Sequence, residues 1–183
     1  MNKENNQKER KRVNGMRIDY YSQLERSAKY FENKIYNCRP DDGAIEVLNG
    51  DLSQLELHMT LFEVYSYISL IYAGTYLQKL PPCSVRQQYL LLQCIERIDI
   101  LVDTPMIVSL SMLLMIVGIN CCYENDRIGV RRRFEDILKK YGIGNFFRMI
   151  EIVEESWKTN PDGSLWVDWA EIASSKGWFL YVG

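Results

Sequence analysis

Five cysteines (Cys38, Cys83, Cys94, Cys121, Cys122) and a single histidine, His58, are the residues with which this chain would hold a metal or attack an electrophile. A zinc cage draws about four Cys or His ligands from close-spaced pairs, and no Cys-x-x-Cys pair occurs here. The cysteine count is odd and the spacings irregular, which reads as buried thiols in a reducing compartment. His58 has no second ligand beside it and reads as a structural or surface histidine. Glu151, Glu154 and Glu155 lie close together, but a catalytic carboxylate pair needs a cleft and burial to separate its two pKa values. With lysines nearby, these three read as solvated. The chain offers no nucleophile–base pair, metal ligand set or phosphate loop. It is therefore expected to be non-enzymatic, with no cofactor and no metal.

The basic residues form no surface suited to nucleic acid. The net charge is −2, so no global positive field draws the domain onto phosphates. Arg131, Arg132 and Arg133 point in three directions on a helix and are followed by Glu135 and Asp136. They read as a salt-bridged face. Lys8, Arg10, Lys11 and Arg12 crowd a polar arm, residues 1–15, with no apolar periodicity. That arm is expected to be disordered, serving as a nuclear-import signal, a phosphate-touching arm or a solvated terminus. Direct sequence-specific DNA binding by this chain alone is not expected. Trp166, Trp169 and Trp178 lie within thirteen residues; such clusters form cation cages or packing anchors, and the second suits a short terminal helix.

Helices must position all of these groups. Tyr21, Leu24, Ala28, Phe31 and Ile35 form one face of a helix over Arg17–Tyr36, which Pro40 and Gly43 end. Ala44–Gly50 is too short to assign. A second helix runs from near Ser53, with Glu56 completing a capping box, to about Lys79. Its stripe is Leu61, Val64, Tyr65, Ile68, Ile71, Tyr72 and Tyr76. Pro81-Pro82 stops it, and Ser84 with Gln87 caps a third helix, Val85–Asp103. Pro105 opens an apolar helix through Ile119, without a polar stripe and therefore central. Its run of about 15 residues falls short of the ~20 that cross a membrane.

The last third predicts helices over Glu124–Tyr141, Asn145–Lys158 and Asp168–Lys176. Gly142 stops the first of these, and Asp168 with Glu171 caps the last. A short apolar tail, Trp178–Val182, carries the one strand signal, at Phe179–Val182. The expected fold is an all-α, irregular bundle of about seven helices, with residues 16–183 as one domain. At 183 residues and 47% apolar content the chain sustains a sizeable core.

An ordered string runs through that last third. It comprises Gly118-Ile-Asn-Cys121-Cys-Tyr-Glu-Asn-Asp126-Arg127, Val130-Arg-Arg-Arg-Phe134, Gly142-Ile-Gly144-Asn145, Glu154-Glu-Ser-Trp157, Asp168-Trp169 and Gly177-Trp178. It resembles the C-terminal end of the regulatory domain in fungal zinc-cluster transcription factors. Tyr72–Leu80, Pro81-Pro82 and the helix to Ile98 fit the same pattern, and Leu24–Arg39 fits more loosely. The six cysteines that hold two zinc ions in that family, and its dimerising coiled coil, are not in this sequence. The resemblance implies a nuclear, transcription-regulatory domain without its own DNA-binding module. It also implies protein partners, either transcription machinery or a DNA-binding relative. The alternative is a helical interaction scaffold in a chromatin or kinetochore assembly. A small hydrophobic effector would fit between the second helix, the third helix and the apolar helix.

Overall fold

The computed structural model describes residue 20, residues 22–141 and residues 145–178, with the backbone alone for residues 108 and 145. The basic residues Lys8, Arg10, Lys11 and Arg12, the glycines Gly142 and Gly144, and the apolar tail after Trp178 lie outside the described residues. Residues 22–37 form the first helix, α1. Seven more follow: α2 (Asp42–Leu48), α3 (Leu52–Tyr76), α4 (Val85–Leu101), α5 (Ser111–Ile119), α6 (Glu124–Tyr141), α7 (Asn145–Thr159) and α8 (Trp169–Ser175). A 3-10 helix, Pro105–Leu110, precedes α5. The architecture is all-α, as expected.

Helix starts follow the caps, with two corrections. The stretch left unassigned is α2, because the Asp41 carboxylate accepts the Ala44 N–H at 3.0 Å. The α3 cap is Asp51, not Ser53. The Asp51 carboxylate accepts the backbone N–H groups of Ser53 and Gln54 at 3.1 and 3.2 Å, and the Ser53 hydroxyl donates to it at 2.7 Å. A carboxylate at a helix N-terminus also gains from the helix dipole, an advantage a serine hydroxyl lacks. The Ser53 hydroxyl bond, then the Gln54 N–H, hold the Asp51 carboxyl below its usual pKa. Ser84 and Asp168 cap α4 and α8 as the spacing predicts.

The core forms around α3, α4 and α5. α3 and α4 make the most extensive helix pair, burying Val64, Ile68 and Ile71 with Leu90, Leu91, Cys94 and Ile98. The expected apolar helix is divided: Thr104 accepts the Met106 N–H at 3.2 Å and starts a 3-10 turn at Pro105, and α-helix begins only at Ser111. Every residue from Leu113 to Ile119 is buried, so α5 is enclosed on all sides. α7 crosses it with Phe146, Met149, Ile152, Val153 and Trp157, a 3-and-4 spacing that gives one continuous buried face.

That crossing depends on Gly118. A Cβ placed there would stand 2.9 Å from Val153 Cγ1 and 3.2 Å from Val130 Cγ1. The Trp157 indole N–H donates to the Gly118 carbonyl at 2.8 Å, deep in the core. At the far end of the chain, Gly177 takes φ +68°. This left-handed residue lets the Trp178 N–H return to the Ala173 carbonyl at 3.0 Å and close α8.

Two measurements check this packing. Gly118→Ala forces Val153 and Val130 apart and should cost about 1–3 kcal/mol, read as a lower urea midpoint with unchanged helical dichroism; an unshifted midpoint would remove the close approach. The thiols should divide by burial. Cys38 and Cys83 are exposed, whereas burial pushes Cys94 up to about 12 and Cys122 up to about 11. Burial, then Asp126, raises Cys121 further still. Since the thiolate is the attacking form, a disulfide reagent at pH 8 should modify two thiols quickly and the rest only after unfolding. Fast modification of Cys94 or Cys121 in the folded chain would contradict the core described.

Candidate ligand pocket

Tyr65 and Tyr72 belong to the apolar stripe of α3, yet they are 45% and 41% exposed. They remain open because no helix packs flat on this side of α3. A cavity of about 400 Å³ lies there instead. α3 supplies Tyr65, Ile68, Ser69, Tyr72, Ala73 and Tyr76, with Leu77 following; α5 supplies Leu113 and Ile116; α1 supplies Phe31 and Ile35. The volume falls within the roughly 300–1,000 Å³ of small-molecule sites. Among the described residues, no charged side chain lines it.

This placement corrects the expected one. The third wall is α1 and not α4, because α3 already consumes the apolar face of α4. α1 seals little of itself: Ala28 is fully buried, but Phe31 is 49% exposed. Ile35 packs against the core, and a polar cluster adds a further tie. One Glu32 carboxylate oxygen accepts Gln78 Nε2 at 2.5 Å and Arg86 Nη1 at 2.8 Å, and Arg86 also donates to Gln78 Oε1 at 2.9 Å. The Tyr65 hydroxyl donates to the Ser109 carbonyl at 3.3 Å. Tyr72 and Tyr76 stack with centroids 4.4 Å apart.

Gln87 escaped the sequence reading. In place of completing a cap with Ser84, its fully buried side chain turns inward, and Nε2 donates to the Ile71 carbonyl at 3.0 Å and the Thr75 hydroxyl at 2.9 Å. Gly74 makes room for it: a Cβ there would lie 3.0 Å from Gln87 Oε1. A Gly three residues from a helix end opposite a capping-box Gln is the only hint the sequence holds.

The residues singled out for chemistry separate. Arg131 pairs with Glu154 at 2.6 Å and Glu124 at 3.0 Å, Arg132 with Asp136 at 3.9 Å, and Arg133 makes two bonds to Asp99 at 2.7 Å. Glu151 and Glu155 pair with Lys176 and Lys158 at 3.6 and 3.3 Å. His58 is exposed. Among the described residues, no group of His, Cys, Asp and Glu is placed to hold a metal ion, and no helix is long and apolar enough to cross a membrane. The tryptophans take separate duties. Trp166 receives Lys79 Nζ 3.5 Å from its ring centre and Tyr76 edge-on, Trp178 packs against the core, and Trp169 does so while lining a second, smaller cavity.

The motif residues form two groups. Gly118, Cys121, Arg127 and Trp157 meet where α5, α6 and α7 converge. Arg127, 8% exposed, donates to the Cys121 carbonyl at 3.1 Å and the Pro161 carbonyl at 2.8 Å, with its guanidinium 5.3 Å from the Trp157 ring centre. Asp126 lies beside it in the first turn of α6, its N–H bonded to the Tyr123 carbonyl at 3.1 Å. Asn145 opens α7. Asp168, Trp169, Gly177 and Trp178 build and close α8. The first group fixes the core and the second leads into the pocket region through Trp169.

A family model described as "Fungal specific transcription factor domain" matches residues 3–183. An uncharacterized transcriptional regulatory protein of Schizosaccharomyces pombe is 29% identical over 154 residues, covering 83% of this chain and 29% of that protein. The transcriptional activator protein UGA3 of Saccharomyces cerevisiae is 27% identical over 133 residues, covering 71% of this chain and 25% of that protein. The chain thus spans less than a third of the length of either relative. No solved structure matches. The 183 residues contain no six-cysteine zinc cluster; they form a transcription-regulatory domain, and the chain belongs to the fungal specific transcription factor domain family.

Proposed function

We propose that this domain works in the nucleus as an effector-responsive element of transcription, acting by binding and not by catalysis. A small hydrophobic effector occupies the pocket between α1, α3 and α5. Protein contacts, with transcription machinery or a DNA-binding relative, carry the result. The observation that supports this most is the pocket itself: about 400 Å³, with no charged side chain among the described residues that line it. Hydrophobic side chains left without a protein partner are costly unless something covers them. The membership of the chain in a transcription-factor family supports the nuclear setting. The separate pairing of Glu151, Glu154 and Glu155 with cations supports a non-enzymatic role. The basic arm, Lys8, Arg10, Lys11 and Arg12, is assigned to nuclear import or to phosphate contact.

Blocking the pocket tests the reading. Ser69 is exposed on the rim, so Ser69→Trp fills the space while Ser69→Ala leaves it open. Tethered to a reporter promoter through a foreign DNA-binding module, the wild-type chain should alter output. Ser69→Trp should shift that output severalfold from the Ser69→Ala level at equal protein abundance. Wild-type output equal to that of the bare tether would favour the chromatin or kinetochore scaffold. Equal output from both variants would remove the pocket from the mechanism.

A further inference from the structure

The inner end of the pocket is built differently from its walls. A second cavity of about 10 Å³ adjoins it, sharing Tyr72, Tyr76 and Ile116 and adding Thr75, Ile119, Asn120 and Trp169. Asn120 Oδ1 is buried and makes no hydrogen bond among the described residues, and beside it the buried Tyr76 Oη faces the backbone and indole N–H groups of Trp169, which hydrogen-bond to the phenol. Asn120 is only 2% exposed, and its Nδ2 is committed to the Ile116 carbonyl at 2.9 Å. Its acceptor oxygen is therefore unsatisfied in the interior, where such a group is costly. Together the three provide an unpaired acceptor, Asn120 Oδ1, and a phenol O–H donor whose oxygen is backed by Trp169. The space suits one water-sized group.

We propose that the pocket takes a neutral amphiphile: an apolar body against α1, α3 and α5, and a single uncharged hydroxyl seated among Tyr76, Asn120 and Trp169. This deepens the effector reading and rests on it. A hydroxyl matches the set because it donates to Asn120 Oδ1 while accepting from the Tyr76 phenol, whose oxygen is in turn held by Trp169. A carboxylate would place its charge against the unpaired acceptor of Asn120, and an ammonium would find only one acceptor oxygen and a phenol. Among the described residues, no charged residue lines either cavity. Two charges act on Tyr76 without lining the cavities: Asp168, which interacts with its phenol, and Lys79, 5.8 Å from its ring centre and held on the Trp166 ring. Burial, the largest cause, and then Asp168 raise the Tyr76 pKa well above its ordinary value, so the phenol keeps its proton.

The test uses the 183-residue chain and N-phenyl-1-naphthylamine, a neutral fluorescent probe, displaced by 1-decanol, 1-chlorodecane, decanoate or decylammonium at pH 7.4. In the wild type, 1-decanol should bind about five- to tenfold more tightly, relative to 1-chlorodecane, than it does in Tyr76→Phe, with chlorodecane binding unchanged by the substitution. Trp169→Phe should show the same selective loss and serves as the second variant. Decanoate and decylammonium should displace the probe at least tenfold less well than decanol. If probe and chlorodecane bind but neither substitution selectively weakens decanol, the hydroxyl seat is wrong and the pocket stands. If decanoate matches decanol, the neutral class is wrong. If neither the probe nor any of the four compounds binds, the pocket reading itself falls, and the seat with it.

Discussion

The constraint on which this structure depends is the absence of a side chain at Gly118. α5 and α7 approach until Val153 fills the space a Cβ would take, and the Trp157 indole then reaches the Gly118 carbonyl. With Trp157 fixed, its ring presents a face to two guanidiniums, Arg127 at 5.3 Å and Arg131 at 4.7 Å. Arg127 in turn carries its charge into the interior by bonding two backbone carbonyls, one at the end of α5 and one after α7. A buried guanidinium with oriented carbonyls and an aromatic face is well solvated by the protein itself. One missing methyl group thus sets the positions of three helices.

The pocket is the complement of that tight region. α5 is buried on all sides, yet its Leu113 and Ile116 also reach the cavity wall. α3 uses one face for α4 and leaves the other, with its tyrosines, facing α1 across open space. Helix pairs normally close such gaps with interdigitating side chains. Here α1 stands against the body through Ala28, Ile35 and the Glu32–Gln78–Arg86 cluster, and the space between it and α3 stays open. Core-grade residues of α3 and a helix tied by a polar cluster occupy the same side of the molecule. That combination gives the pocket its volume.

The helices and most of their ends were legible in the sequence because caps, prolines and 3-and-4 spacing are local signals. Glu124–Tyr141 begins and ends where the periodicity puts it. The errors came from competition and from tertiary context. Asp51 displaced Ser53 as a cap because a charged acceptor stood nearby. Gln87 abandoned its capping geometry because Gly74 opened a buried site with two acceptors. The apolar stretch after Pro105 began as a tighter helix than its hydrophobicity distinguishes. The pocket was anticipated on the wrong face of α3. A stripe of aromatic and aliphatic residues reads identically whether a helix covers it or a cavity does. Which neighbour arrives depends on the chain's path in space, which periodicity does not encode.

The polar tie on α1 has a mechanical side. The 16 helical residues from 22 to 37 form a rod about 24 Å long. Phe31 and Ile35 touch the cavity near one end of it, and Glu32 clamps it between them. Ala28, one turn before the clamp, is fully buried and fixes the same rod. A change in the width of the cavity at Phe31 and Ile35 is therefore felt first as a load on the Glu32 bonds to Gln78 and Arg86.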